Sequence, residues 1–150
     1  MATNAPTAAD VRADLLDEQA ALDAIVSELT EEQWALPTAS ERWSVADQIA
    51  HLAYFDQTAA WAIADEDRFR ASLDGLGPAF APDATPDAVD DLTLGVFRTM
   101  TPPELLATWR SNRRELADAA ASLDDDTRVI WYGRSMGAKS FLTARLMECW

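Results

Sequence analysis

The chain has 150 residues, enough for one domain around a single core, and its 49% hydrophobic and 25% charged content excludes wholesale disorder. Its 26 acidic residues against 12 basic ones give a formal net charge of -14, which repels phosphate backbones and anionic lipid and argues against nucleic-acid and membrane partners. The single cysteine, Cys149, cannot close an internal disulfide, no apolar run is long enough to span a bilayer, and the start, Met1 to Pro6, lacks the charged and apolar regions of a signal peptide. A cytoplasmic protein is the expectation, with Met1 to Pro6 frayed.

From Thr7 and Asp10 to about Leu29, apolar residues recur at Val11, Leu15, Leu22, Ile25, Val26 and Leu29, the spacing of a helix with Asp14, Asp17, Glu18 and Glu28 on its wet side. Thr30 to Trp34 predicts a short helical turn that Pro37 closes. Ser44-Val-Ala-Asp47 reads as a capping box, and the helix it opens meets no glycine or proline before about Arg70. Val45, Ile49, Leu52, Ala53, Ala60 and Ile63 make one stripe of it; Asp47, His51, Tyr54, Phe55, Thr58 and Trp61 lie on the other side. A helix apolar on both sides is a central one.

Glycines and prolines between Leu73 and Pro86 predict a loop or broken helix. Asp87 to about Met100 has helical spacing interrupted by Gly95. Thr101-Pro-Pro-Glu104 is an N-terminal signature that opens a helix reaching about Leu123. Asp124 to Lys139 reads as a loop, with Arg128 to Tyr132 the one strand candidate. Ser140 is expected to cap a final helix that carries Phe141, Leu142, Leu146 and Cys149. The sum is an all-α single domain over residues 1–150, four main helices in a bundle with long connections. The last helix lacks a glycine stop, a trailing proline and a polar tail, so it is expected to be truncated relative to a longer parent.

His51 is the only histidine, and it sits in the apolar Trp43 to Asp56 run. A lone helical histidine is most often a hydrogen-bonded core residue, and metal ligation is the competing reading. Asp47, one turn earlier, could orient the ring as such ligands require, or could simply cap the helix. Glu148 could form a surface ion pair with Arg145 three residues back; alternatively two bundle helices could bring it to His51. Asp56, on the apolar stripe, calls for a buried partner, with Arg98, Arg110 and Arg113 the candidates. Cys149 is expected to be buried. Walker, dinucleotide, nucleophile-elbow and Cys-x-x-Cys signatures are absent from the sequence.

The run Trp43-Ser-Val-Ala-Asp-Gln-Ile-Ala-His51-Leu, preceded by Trp34 and Pro37, resembles the DinB-like superfamily of four-helix metalloenzymes. The closing Ser140-Phe-Leu-Thr-Ala-Arg-Leu-Met-Glu148-Cys-Trp150 is similar, more specifically, to the metal-binding N-terminal domain of mycothiol-dependent maleylpyruvate isomerases. That resemblance implies a divalent metal, usually zinc, held by a histidine of the second long helix and a Glu-x-x-x-His pair of the last. His51 and Glu148 match the first two ligands; the third would stand two positions beyond Trp150. It also implies a small-molecule substrate and a low-molecular-weight thiol, mycothiol, whose acidity the metal would raise in an isomerase or transferase reaction. Two ligands instead of three imply an impaired site. Two further readings stay open: a non-catalytic helical module in which His51 is a core residue, and a homodimer joined through the apolar end at Leu146, Met147 and Trp150.

Overall fold

The computed structural model describes residues 5–150, so most of the expected frayed start lies outside the described residues. Three long helices and a shorter closing one carry the architecture: α1 (Ala8–Val26), α3 (Val45–Ala64), α6 (Pro102–Ala120) and α7 (Ala138–Met147). Between them lie α2 (Glu31–Trp34), α4 (Glu66–Gly75), α5 (Pro86–Leu94), two single 3-10 turns (Gly77–Phe80 and Phe97–Thr99), and strands β1 (Arg128–Trp131) and β2 (Arg134–Gly137). This is a mainly helical bundle, more elaborate than a plain four-helix one. Among the described residues, no helix is long and apolar enough to cross a membrane.

Capping boxes start the helices where the sequence places them. Thr7 and Asp10 open α1, Thr30 and Gln33 open α2, and Ser44 and Asp47 open α3. At α6 the Glu104 carboxylate accepts from the Thr101 N–H at 2.8 Å, with prolines filling the first-turn positions whose N–H groups would lack partners. Three boundaries differ from expectation. The helix from Ser44 stops at Ala64, because Asp65 leaves helical geometry (φ -150°, ψ 79°) and accepts from the Arg68 N–H at 3.1 Å, starting α4 in a new direction. An aspartate breaks a helix by capping the next one, with no glycine or proline needed. Within the expected loop, the strand candidate Arg128 to Tyr132 is a strand over Arg128–Trp131, and it pairs with residues 134–137 in an antiparallel hairpin with Arg128 opposite Gly137 and Trp131 opposite Arg134. Its two-residue turn uses positive φ at Tyr132 (43°) and Gly133 (81°), the hairpin-favouring geometry. The hairpin runs straight into α7, so Gly137, not Ser140, stands at the helix start and Ser140 lies in its first turn.

α3 packs mainly on α6, and α1 on α7. Two core clusters result. One joins Leu15, Ala59, Phe69, Leu116, Phe141 and Leu142; the other joins Ile49, Leu52, Leu94, Leu105 and Trp109 with Val26 and Trp34. α3 belongs to both, its first half (Ile49 to Ala53) to the second cluster and its last turns (Ala59 to Ala62) to the first. Arginines fasten the helices from outside. Arg110 and Arg113 of α6 grip Asp23 of α1, at 2.6 Å for the first and 2.5 Å for the second. The Arg110 hydrogen bond holds the Asp23 carboxyl below the ordinary aspartate range. An acid depressed in the fold adds stability above its unfolded pKa and loses it as pH falls through the folded value. Asp23→Ala is therefore expected to destabilise the protein at neutral pH and to make the acid branch of a pH-melting curve shallower, which calorimetry at stepped pH checks.

Candidate functional site

α3 presents His51 and the end of α7 presents Glu148 at the same place. The His51 Nε2 lies 2.9 Å from the Glu148 Oε2 across 97 residues of sequence, with the two side chains 20% and 44% exposed. Phe55, one turn along α3, meets the imidazole at 4.7 Å between ring centroids, and Trp43 meets it at 5.1 Å. The hydrogen bond from His51 holds the Glu148 carboxyl below the ordinary glutamate range, against the opposing effect of burial. In His51→Ala that carboxyl is expected to return upward toward the ordinary range, as carbon-detected NMR titration of Glu148 would show. The stability that the pair supplies above the unfolded glutamate pKa, and loses as pH falls through the folded one, is small because Glu148 is open to water.

Asp47 does not reach the imidazole. One of its oxygens accepts from the Ser44 N–H at 3.0 Å and the other from Arg98 Nε at 2.8 Å. It caps α3 and ties it to the 3-10 turn at Phe97–Thr99.

The pair opens onto a cavity of about 310 Å³. Its walls include Phe55, Phe80, Val89, Thr93, Trp131 and Tyr132, with Arg145 beside Glu148. The hairpin turn supplies Trp131, stacked on Phe69 at 5.5 Å and edge-on to Phe141 at 5.3 Å. Phe55 shares the His51 side of α3, as helical spacing predicts, whereas Trp131 and Tyr132 reach the cavity through a hairpin whose strands of four residues leave little sequence signal beyond the Trp131-Tyr-Gly133 run itself.

Arg145 is turned inward, correcting the reading of it as a surface partner for Glu148. It is 3% exposed and its guanidinium donates to Asp56 Oδ1 at 3.2 Å. Asp56, 1% exposed, also accepts from Gln19 at 3.0 Å and from the Trp109 indole N–H at 3.0 Å. None of the three arginines expected to meet Asp56 does so: Arg98 pairs with Asp47, and Arg110 and Arg113 reach from α6 to Asp23 of α1, while Trp109 is the α6 side chain that faces Asp56. Burial holds the Asp56 carboxyl above the ordinary aspartate range, against the pull of Arg145. Arg145 Nε, buried along this wall, has no hydrogen-bond partner among the described residues, and the buried Tyr132 hydroxyl sits beside those of Tyr54 and Thr58. Burial also pushes the half-buried Cys149 thiol up to about 12, so it stays protonated and unreactive at neutral pH.

The donor set is an imidazole nitrogen and a carboxylate oxygen, both of which zinc accepts. Two donors of a tetrahedral site with bonds of about 2.0–2.1 Å stand roughly 3.3 Å apart, a small side-chain rotation away from the observed separation. Among the described residues, no group of three His, Cys, Asp or Glu side chains surrounds one point. The residues present thus fit two positions of a metal site and do not complete it.

Comparison with known proteins gives a consistent picture. Residues 15–150 match the mycothiol maleylpyruvate isomerase N-terminal domain family. Uncharacterized proteins from two strains of Mycobacterium tuberculosis are 37% identical over 150 residues, which is 100% of this chain and 54% of theirs. The chain spans about half the length of these curated relatives. Among solved structures, the crystal structure of the mycothiol-dependent maleylpyruvate isomerase aligns with a TM-score of 0.68, and that of its histidine-to-alanine mutant with 0.70. Each is 18% identical and covers 97% of this chain and 58% of the other, a likeness of fold.

Proposed function

We propose, because the chain belongs to the mycothiol maleylpyruvate isomerase N-terminal domain family, that it is the divalent-metal-binding domain of a thiol-dependent isomerase or transferase. The observation that carries this reading is the convergence of His51 Nε2 and Glu148 Oε2 at 2.9 Å on the rim of an aromatic-walled cavity. His51 and Glu148 would hold the metal, most fittingly zinc. When bound, the ion would supply Lewis acidity that lowers the pKa of a small thiol, mycothiol by the family's name. The chain's own residues do the rest. Phe55, Trp131 and Tyr132 exclude water from a small-molecule substrate. Two protein donors by themselves are expected to hold the ion weakly.

Calorimetric titration of Zn²⁺ into the chain, His51→Ala and Glu148→Gln tests this. One weak stoichiometric site, lost in both variants, is the expected result; equal binding by all three would overturn it. The direct hydrogen bond between the two side chains favours a second reading, a helical binding module in which His51 and Glu148 form a structural pair with no ion between them. In that case chelators leave the melting temperature of a longer, family-length protein unchanged.

A further inference from the structure

Trp43 is the aromatic neighbour of His51 that comes from outside α3; its backbone is held within its own loop, the N–H donating to the Ser40 carbonyl at 3.2 Å and the carbonyl accepting from the Thr38 N–H at 3.0 Å, but its indole is held from elsewhere. The loop before α3 bends at Arg42, whose φ of 69° lies in the left-handed region that residues other than glycine avoid. That bend is held from α5. Asp90, 5% exposed, accepts from Arg42 Nη1 at 2.9 Å and from the Trp43 indole Nε1–H at 3.0 Å with the same oxygen, Oδ2. Arg98 approaches that oxygen at 4.0 Å. Asp90 thus takes the indole N–H and leaves the ring to meet the imidazole at 5.1 Å, tilted by 44°. Its flanking positions on α5 matter as well, since Val89 and, one turn on, Thr93 belong to the cavity wall.

We propose that Asp90 is a positioning residue: its carboxylate clamps Trp43 against His51 and fastens α5 in place as the outer wall of the cavity. This rests on the proposed function only for its purpose, because the clamp itself can be read without metal or substrate. A side chain that orients a ligating imidazole from a distance restricts the ring's rotations and so raises its readiness to bind. An exposed ion pair would not need to be buried to 5% or to share one oxygen between an arginine and an indole.

The single histidine makes the test direct, since the imidazole carbon-bound protons give one resolved pair of NMR signals displaced by the Trp43 and Phe55 ring currents. Spectra are taken on the full chain with chelator, at about pH 9, where an ordinary imidazole is neutral. In Asp90→Ala the Trp43 indole N–H is expected to lose its hydrogen-bonded position and the His51 signals to move toward those of a free imidazole. In Asp90→Asn, which keeps an oxygen acceptor for the indole, both are expected to stay. Asp87→Ala removes the other carboxylate on Arg42, 3.0 Å away and exposed, and is expected to leave the His51 signals in place. His51 signals that stay put in Asp90→Ala, or that move equally in Asp87→Ala, would overturn the proposal. Should Asp90→Ala unfold, Asp90→Asn decides: an intact indole hydrogen bond with displaced His51 signals would also overturn it. Zinc titration then reports separately on the proposed function, because Asp90→Ala can displace His51 whether or not the chain binds an ion.

Discussion

Replacing Asp56 by alanine is expected to lower the unfolding free energy by about 3–5 kcal/mol, which is the usual consequence of removing one partner of a buried pair. For a chain of this size that corresponds to a fall in melting temperature on the order of 10 °C. The cause is threefold: Arg145, 3% exposed, keeps a charge with no counter-ion, and the Gln19 amide and Trp109 indole each lose an acceptor. Replacing both charges with apolar residues of similar volume, Asp56→Leu with Arg145→Met, is expected to recover much of the loss, since the desolvation of the pair is then no longer required. Denaturant unfolding of the two single variants and the double one checks this; strictly additive losses would show that the two residues are not coupled.

Continuing the chain so that a histidine follows Glu148 by four residues on an unbroken helix is expected to raise Zn²⁺ affinity by orders of magnitude. Such spacing sets both side chains on one helix face, adding the third donor of a catalytic site. At a thousandfold excess of zinc over its dissociation constant, binding adds about 4 kcal/mol to stability, so a chelator should lower the melting temperature clearly in the extended chain. His51→Ala in that background should abolish the chelator effect. If chelator and His51→Ala both leave it untouched, Glu148 and His51 are a structural pair and the metal reading is lost.

The residues that start the helices were legible because capping is local: Thr7, Thr30, Ser44 and Thr101 each bond to a residue three positions on. His51 and Glu148 could be nominated by their motifs, although no local pattern could set the distance between them. What escaped the sequence depends on distant chain. Asp56 has its partner 89 residues away, and Asp90 reaches Trp43 from 47 residues on, so neither pairing leaves a periodic trace. Of the hairpin only the first strand, the Arg128 to Tyr132 candidate, was legible; its partner was not, since strands of four residues are too short to show alternation and the turn uses Tyr132-Gly133 in place of the usual asparagine or aspartate before glycine. The early end of α3 was hidden because Asp65 acts through its own side chain, a choice that an aspartate in a helical run leaves open.

The arginines hold the helices together by spending their charge inward or on immediate neighbours: Arg145 on Asp56, Arg110 and Arg113 on Asp23, Arg98 on Asp47, and Arg42 on Asp90. With a net charge of -14, the remaining carboxylates dominate the outer shell. A diffusing anion therefore meets an uphill approach before it reaches the aromatic cavity, and dissolved salt flattens that slope. Capture of a negatively charged molecule should speed up as ionic strength rises, the reverse of the trend for enzymes that draw their substrates in by attraction.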